Sequence, residues 1–520
     1  MKDRLTRRDF LKLAGLLPLS VATPGPADSI APGHRSGGAQ NVIIIVFDAF
    51  SAYNVSLYGY PRETTPHLDR LANRAVVYHN HYAGSNFTTP GTASLLTGAL
   101  PWTHRALHVK EKTKKYFEQK NIFTAFENYY RIAYSHNRLV NVLEEQFKES
   151  LDELVPRDRL YLKRDFVVPT FLEGDEDIFT VSWIRGFDKR VDGLAYSLFL
   201  SYLNEAINER IDAKYAERFA KIKPQFPRGI PGRTYDNQFI LEDAIDWLQS
   251  TLGTLPQPFL GYFHFYPPHA PYFTHRDFFG AFKGDGITQK LKPRDIFALS
   301  NRAEATRSEW ENDRRMMYDE FILYVDREFG RLFDYLERAG LLENSWVILT
   351  SDHGEMFERG VIQHGSHVLY EPVIRIPLII FEPGRQTRLD VHTQTSAIDI
   401  LPTMLHVTGQ PSADWTEGTV LPPYASMNPG KDRSVFVLEA QRNKSYAPLT
   451  IATTTLVKRE YKLMYFFGYE ELDGKERIEL YDIDTDPEEL NDLYDAKRAT
   501  ADEMLHELKS VLLEMDAYHR

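Results

Sequence analysis

Short runs of apolar, mostly β-branched residues recur along the chain, and each run stops abruptly at a polar or turn-forming residue. The first run is Asn41–Phe47, which stops at Asp48. A continuous apolar run of this length predicts a strand that is buried on both faces, as in a parallel sheet. Three further runs predict strands of the same kind, at residues 258–263, 346–350 and 377–381.

Between these runs, apolar residues recur at three- and four-residue spacing, which predicts helices with one buried face. The clearest of them spans residues 321–336 and is closed by Gly340, and a shorter one spans residues 66–75. Strands that alternate with helices indicate an α/β fold, with a mostly parallel central sheet flanked by helices.

The pattern changes after Gly409, where several prolines and glycines indicate loops. Strand-like segments follow at 434–439, 449–454 and 461–467, and a helical pattern covers residues 500–515. We therefore expect a main domain over residues 39–410 and a smaller C-terminal α+β subdomain over residues 431–520. Residues 105–240 are charged and aromatic, and we interpret them as a large insertion or cap on the core.

Composition narrows the possible functions. The 520 residues include 61 basic and 73 acidic ones, which gives a formal net charge of −12. A net acidic chain is a poor match to a phosphate backbone, so we expect no nucleic-acid partner. The chain contains no cysteine. Disulfides, zinc–thiolate sites, iron–sulfur clusters and cysteine nucleophiles are therefore excluded.

The N-terminus carries a targeting pattern. Arg7 and Arg8 precede Phe10, and a short apolar stretch covers residues 13–21. This pattern is typical of the address read by the twin-arginine export system. The stretch is too short to span a bilayer, so we expect residues 1–38 to be a cleaved signal and linker. The alternative, an amphipathic first helix, is disfavoured by the prolines that follow. We expect a periplasmic or secreted protein without a stable transmembrane anchor.

Three of the predicted strands end in residues that can bind a metal ion. Asp48 follows the first strand, His264 ends the second, and the Asp352–His353 pair follows the third. Ligands of α/β proteins bind beyond the carboxyl ends of the strands, so a single site at this edge is expected. Two carboxylates and one imidazole suit one divalent ion, with Mn²⁺, Zn²⁺ or Mg²⁺ favoured over Ca²⁺.

A second chemical signal lies in residues 85–98. Pro90 suits the first position of a helix that ends near Gly98, which places Thr88 just before the helix N-terminus. The helix dipole and the free backbone N–H groups would favour a sulfo or phosphoryl group there. The alternative interpretation is that Thr88 or Thr89 only caps the helix.

Taken together, these segments resemble the sulfatase branch of the alkaline phosphatase superfamily. The resemblance extends over about residues 41–495 and is weakest in the stretch that we interpret as a cap. It implies a sulfatase/alkaline-phosphatase-like core. The motifs that carry the resemblance are Asn41–Phe47 with Asp48, residues 65–72, 88–98, 268–272, 350–355, 364–378, 480–482 and 486–488.

The sequence departs from the main sulfatase pattern at the nucleophile. Typical members carry Cys or Ser, oxidised to formylglycine, in a Cys/Ser-x-Pro-x-Arg motif. Here Thr88 holds the nucleophile position and Thr92 holds the arginine position, although Pro90 is in place. Ala49 stands where a second aspartate often follows the first, and His353 stands where calcium-type sulfatases have Asn. Because the nucleophile position holds threonine and not cysteine or serine, formylglycine should not form.

The resemblance implies roles for particular residues. Asp48, Asp352, His353 and the Thr88 oxygen are the expected metal ligands, and Thr88 is the expected nucleophile. Two histidines are expected to orient the substrate oxygens or protonate the leaving group, namely His269 and His364. Weaker candidates for the same pocket are His264, His367, His136 and Asn137.

Three functions are compatible with this pattern. The first is an exported metal-dependent hydrolase of phosphate or sulfate esters, acting on a small-molecule, glycan or lipid head-group substrate. The second is a phosphoglycerol- or phosphoethanolamine-type transferase. The third is a catalytically silent binding protein on the same fold, which is disfavoured because the expected ligands and the hydroxyl are all present.

Overall fold

The computed structural model describes residues 39–162, 213, 215–232, 238–287, 290, 292–293, 295, 308–425 and 432–517. The predicted twin-arginine signal lies outside these residues. The strands are β1 (Asn41–Phe47), β2 (Val76–Tyr78), β3 (His81–Tyr82), β4 (Tyr130–Ser135), β5 (Glu153–Leu154), β6 (Phe259–Phe265), β7 (Ser345–Thr350), β8 (Phe357–Glu358), β9 (Val361–Ile362), β10 (Leu378–Phe381), β11 (Leu389–Val391), β12 (Thr395–Ser396), β13 (Val435–Glu439), β14 (Ala452–Lys458), β15 (Tyr461–Phe467) and β16 (Arg477–Asp482).

An eight-stranded sheet forms the centre of the fold, with the strand order β11-β2-β10-β7-β1-β6-β4-β5. Strand β10 runs antiparallel to both of its neighbours. The remaining pairs in this sheet are parallel. The prediction of an α/β fold with a mostly parallel central sheet is therefore confirmed, as are the four strands expected from the apolar runs.

Helices cover both faces of this sheet. All seven residues of β1 are buried, and they alternate between two apolar clusters because successive side chains of a strand point to opposite faces. The odd-numbered apolar residues join the cluster that contains Phe329, and the even-numbered ones join the cluster that contains Leu95. The α-helices are Pro66–Leu71, Thr88–Thr97, Pro101–His104, Ile122–Ala125, Val142–Glu145, Leu241–Leu252, Ser308–Arg338, Glu371–Ile374, Ile400–Val407 and Arg498–Asp516.

The C-terminal part forms a smaller subdomain around a second sheet. Strands β13 to β16 are antiparallel neighbours in chain order. The helix Arg498–Asp516 packs against this sheet through Ala501, Met504 and Leu508. Strand β14 begins at Ala452, three residues later than predicted, and β16 was not predicted as a strand.

Two expectations from the sequence need correction. Residues 105–240 are not simply a cap, because they supply β4 and β5 to one side of the central sheet. Residues 163–212 of that stretch lie outside the described residues. Pro90 is also not the first residue of its helix, since the helix begins at Thr88 and Pro90 is its third residue.

Among the described residues, the structure contains no helix whose length and apolar character would suit it to span a membrane.

Candidate active site

Four neighbouring parallel strands deliver polar residues to one edge of the central sheet. Strands β7, β1, β6 and β4 lie side by side with the same direction. Asp352 and His353 follow β7, Asp48 follows β1, His264 is the penultimate residue of β6, and Asn137 follows β4 by two residues. The expectation that one site collects at the carboxyl ends of the strands is therefore met by the geometry.

Asp48, Asp352 and His353 form a buried group whose ligand atoms all lie within 4.8 Å of one another. His353 Nε2 is 3.6 Å from Asp48 Oδ1 and 3.6 Å from Asp352 Oδ2. Both of these carboxylate oxygens are buried and lack a hydrogen-bond partner among the described residues. Buried, unpartnered carboxylate oxygens are costly unless a cation satisfies them, so this group fits a metal ion.

The imidazole of His353 is also oriented for metal binding. Its Nδ1 lies 2.9 Å from the carbonyl oxygen of Gly354, so Nδ1 carries the proton that it donates there. The lone pair on Nε2 then faces the two carboxylates. Burial lowers the pKa of His353, but the charges of Asp352 and Asp48 outweigh burial and hold it above its usual value.

The pKa of Asp48 responds to the same surroundings. Burial raises the pKa of this carboxyl, but the neighbouring imidazoles of His264, His269 and His353 outweigh it and hold it below its usual range. Asp48 is fully buried, so it stays ionised only because it is surrounded by groups that carry or accept positive charge. A carboxylate in that state is available as a ligand at neutral pH.

Thr88 lies at the N-terminus of its helix and beside this group. Its Oγ1 is 3.3 Å from His353 Nε2 and 3.4 Å from the side-chain nitrogen of Asn137. The helix N-cap is Phe87, so neither Thr88 nor Thr89 caps the helix, and the alternative interpretation of this segment is wrong. The Thr88 hydroxyl is fully buried and is placed where the positive end of the helix dipole favours an anion.

His269 and His364 lie beside His353. The ring centroids of His353 and His364 are 4.1 Å apart, and those of His269 and His364 are 5.1 Å apart. His269 Nδ1 lies 2.8 Å from the carbonyl oxygen of Ala270, which makes Nδ1 the protonated nitrogen and leaves Nε2 as an acceptor. Both predicted histidines are therefore brought to the site.

Glu355 links His364 to the protein. Its Oε1 lies 2.9 Å from His364 Nδ1, and its Oε2 accepts a hydrogen bond of 3.0 Å from the hydroxyl of Tyr272. Burial raises the pKa of Glu355 to about 7, although the nearby His269 and His353 and the bond from Tyr272 act in the opposite direction. Neither Glu355 nor Tyr272 was predicted as a site residue. The signal in the sequence was their position inside two of the motifs, with Glu355 two residues after His353 and Tyr272 at the end of residues 268–272.

The weaker candidates have different surroundings. Asn137 donates to Asp48 Oδ2, and His264 Nε2 lies 3.3 Å from the same oxygen, so both border the site. His136 is buried and stacks on Phe239, and burial lowers its pKa to about 3. His367 instead contacts the C-terminal subdomain, through Arg442 and the ring of Tyr469.

Comparison with known proteins places this site in a family. A family model described as Sulfatase matches residues 40–410, and a model described as N-sulphoglucosamine sulphohydrolase, C-terminal, matches residues 363–517. The chain belongs to the sulfatase family. Members of this family use a metal ion, and the buried group of Asp48, Asp352 and His353 is the candidate site for it.

Several known proteins resemble the chain over most of its length. The choline-sulfatase of Rhizobium meliloti (strain 1021) is 26% identical over 491 residues, which cover 90% of this chain and 84% of the relative. The multifunctional alkaline phosphatase superfamily protein PehA of Trinickia caryophylli is 23% identical over 509 residues, which cover 87% of this chain and 91% of the relative. The resemblance to the sulfatase branch inferred from the motifs is thus confirmed.

Several solved structures share the fold. The phosphonate monoester hydrolase of Agrobacterium radiobacter matches with a TM-score of 0.64 at 20% identity, over 92% of this chain and 96% of that one. A 2-O GAG sulfatase matches with a TM-score of 0.61 at 18% identity, over 92% of this chain and 91% of that one. These matches confirm the predicted sulfatase-like core.

Proposed function

We propose that this protein is an exported, metal-dependent hydrolase that cleaves sulfate or phosphate esters through a covalent intermediate on Thr88. The observation that carries the proposal is the position of the Thr88 hydroxyl. It lies at a helix N-terminus and 3.3 Å from His353 Nε2, beside the buried carboxylates of Asp48 and Asp352. A hydroxyl beside a metal-binding group, where a dipole favours anions, is suited to attack sulfur or phosphorus.

Asp48, Asp352 and His353 would hold the metal ion, and their unpartnered buried oxygens support that role. When bound, a divalent ion supplies positive charge that lowers the pKa of a nearby hydroxyl and stabilises negative oxygens of the reacting group. The side-chain nitrogen of Asn137 donates toward Asp48 and Thr88, and it would hold the hydroxyl and the carboxylate in fixed positions relative to each other.

In the first step, the Thr88 hydroxyl loses its proton to solvent, Oγ1 forms a bond to sulfur or phosphorus, and the bond from that atom to the ester oxygen breaks. The departing oxygen needs a proton. His364 is suited to donate it from Nε2, because Glu355 accepts the Nδ1 proton and stabilises the charged imidazole.

In the second step, water attacks the threonine ester, the bond from sulfur or phosphorus to Oγ1 breaks, and Oγ1 takes up a proton from solvent. His269 is suited to accept the proton of that water, because Nδ1 is committed to the Ala270 carbonyl and Nε2 is free to accept. The two histidines thus have distinct roles.

Similarity to named proteins supports an oxyacid ester as the substrate class. The relatives include a choline-sulfatase and an N-acetylgalactosamine-6-sulfatase of Canis lupus familiaris, which is 24% identical over 81% of this chain and 71% of the relative. We infer a small-molecule or glycan ester. The export proposal rests on Arg7 and Arg8, and replacing both by lysine should keep the protein in the cytoplasm.

The test is an activity screen of metal-loaded protein against nitrophenyl sulfate, nitrophenyl phosphate, a phosphate diester and a phosphonate monoester. Turnover of at least one of them, lost in Thr88→Ala, is expected. Product analysis with added glycerol separates the hydrolase from a transferase, because a transferase would yield the glycerol ester in preference to the free oxyanion. No turnover of any ester by metal-loaded protein would contradict the proposal.

A further inference from the structure

His264 is fully buried at the end of β6, and its two ring nitrogens have different surroundings. Nδ1 lies 3.0 Å from the hydroxyl of Tyr262. Nε2 has no hydrogen-bond partner among the described residues, even though two carboxylates lie close to it. An unpartnered imidazole nitrogen at 0% exposure calls for a physical reason.

The distances around Nε2 have the values expected between ligands of one ion. Nε2 is 3.3 Å from Asp48 Oδ2 and 3.7 Å from Asp352 Oδ2. His353 Nε2 is 3.6 Å from the other oxygen of Asp48, Oδ1, and 3.6 Å from the same Asp352 oxygen, Oδ2. Ligand atoms at about 2.1 Å from a tetrahedral ion lie about 3.4 Å from one another. Both histidines thus stand at ligand-to-ligand separation from the same two carboxylates.

We infer that His264 is a further protein ligand of the metal centre, beside Asp48, Asp352, His353 and the Thr88 oxygen that the family resemblance implies. The inference rests on the proposed function in that it needs a metal ion at this group. In the ligand state, His264 donates its Nδ1 proton to the Tyr262 hydroxyl and directs the Nε2 lone pair to the ion. Tyr262 is then a positioning residue that selects the tautomer.

A protonated Nε2 would explain the site less well. At 3.3 Å from Asp48 Oδ2 and 3.7 Å from Asp352 Oδ2, Nε2 is farther from both carboxylates than the about 2.9 Å usual for an N–H···O hydrogen bond. A shared ion accounts for the unpartnered Asp48 Oδ1, Asp352 Oδ2 and His264 Nε2 together.

The inferred ligand set narrows the choice of metal ions that the site prefers. Two imidazoles and two carboxylates favour zinc, manganese or another first-row transition ion, whereas magnesium and calcium favour oxygen ligands. The wild-type protein should therefore bind Zn²⁺ or Co²⁺ far more tightly than Mg²⁺.

The experiment measures metal binding directly, independently of catalysis. Full-length protein is stripped with a chelator, and Zn²⁺ affinity is determined by competition with a chromophoric chelator for the wild type, His264→Asn and His264→Gln. Partners that only orient a ligand change metal affinity by about 10–100-fold, so loss of a ligand should weaken Zn²⁺ binding by about 100-fold or more. The visible spectrum of the Co²⁺ form should also change in both variants, because the number of nitrogen ligands falls.

Three comparisons make the result decisive. Asp48→Asn should lose affinity as strongly as His264→Asn, and Tyr262→Phe should lose less. His79→Asn, a histidine whose Nε2 lies 2.7 Å from Asp390 Oδ1 away from this group, should bind like the wild type. Thermal unfolding of the metal-free proteins identifies any variant that fails to fold. If one His264 variant does not fold, the Zn²⁺ affinity of the other His264 variant tests the inference.

Zn²⁺ affinity within about threefold of wild type in a folded His264 variant, with an unchanged Co²⁺ spectrum, would overturn the inference and leave the proposed hydrolase intact. A wild-type protein that binds no divalent ion would overturn the metal-dependent function as well. The two failures are therefore distinguishable.

Discussion

Gly91 packs directly against the backbone of Asp352, so closely that a β-carbon at position 91 would lie 2.4 Å from the Asp352 carbonyl oxygen. Gly91 belongs to the helix that begins with Thr88, and Asp352 belongs to the loop after β7. The contact is between backbones, which have little freedom to move. It therefore fixes the distance between the nucleophile helix and the metal-binding loop.

Gly91→Ala should displace Asp352 and weaken the site. Because the methyl group would meet the backbone of Asp352, it forces a shift, and overpacking of this kind costs about 1–3 kcal/mol of stability. We expect a lower thermal midpoint, weaker metal binding and lower kcat. Gly365→Ala is the matched control, since a β-carbon there would have no atom within 4 Å. Wild-type metal affinity in Gly91→Ala would show that this contact does not position Asp352.

Lys462 should be important for attaching the C-terminal sheet. Its ammonium group is fully buried and lies 3.3 Å from Glu371 Oε1 and 2.7 Å from Glu489 Oε1. Lys462→Met leaves the buried Glu489 carboxylate without this cation and leaves Glu371 only Arg375, 3.7 Å away. Breaking a buried pair in this way costs about 3–5 kcal/mol. Urea unfolding measures the loss in the free energy of unfolding.

Lys458→Met is the control. It removes a partly exposed pair with Glu507 and should cost about 1 kcal/mol or less. Equal losses in the two variants would contradict this account.

Glu355→Gln should impair protonation of the leaving group. A glutamine amide cannot accept from both His364 and Tyr272 in the way that the carboxylate does, so His364 loses its orientation and its charged state is less favoured. We expect kcat to fall by about 10–100-fold, part of the effect of a general acid.

The dependence on the leaving group checks that role. Alkyl esters, which leave poorly without a proton, should be affected more by Glu355→Gln than nitrophenyl esters. Tyr272→Phe should have a smaller effect in the same direction. An equal loss for good and poor leaving groups would assign Glu355 to structure alone.

Removal of the metal should reduce both activity and stability. Chelation leaves Asp48 and Asp352 buried beside each other without a cation, so the thermal midpoint should fall as activity is lost. A ligand at 100 times its Kd stabilises the folded state by about 2.7 kcal/mol. Adding Zn²⁺ or Mn²⁺ back should restore both properties. Full activity in chelated protein, verified as metal-free by elemental analysis, is the contrary result.

Much of the fold and part of the site follow from local sequence patterns. The apolar runs ending at Asp48 and Asp352 predicted buried strands, and parallel strands deliver their carboxyl ends to one edge. Strand β4 was missed because tyrosine, arginine and serine dilute its apolar character, although its partner β6 was predicted. Its position near one end of the sheet tolerates that mixture.

The link between Glu355 and His364 could not be read from spacing. The short hairpin of β8 and β9 pairs Phe357 with Ile362 and so returns the chain, which brings His364 beside Glu355 nine positions earlier. Two-residue strands carry too little pattern to predict such a return. The Thr88 segment illustrates the same limit, because Pro90 marks a helix start but does not fix which residue begins it.

The central claim is that Thr88 carries the covalent intermediate, and trapping that intermediate tests it most directly. Metal-loaded protein is mixed with a turned-over ester, quenched in acid within the first turnover, digested and analysed by mass spectrometry. The account predicts a peptide containing Thr88 that is heavier by one sulfuryl or phosphoryl group. The adduct should disappear when the reaction runs to completion before the acid quench. Both the adduct and the turnover should be absent in Thr88→Ala. A covalent adduct on another residue, or undiminished turnover by Thr88→Ala, would contradict the account.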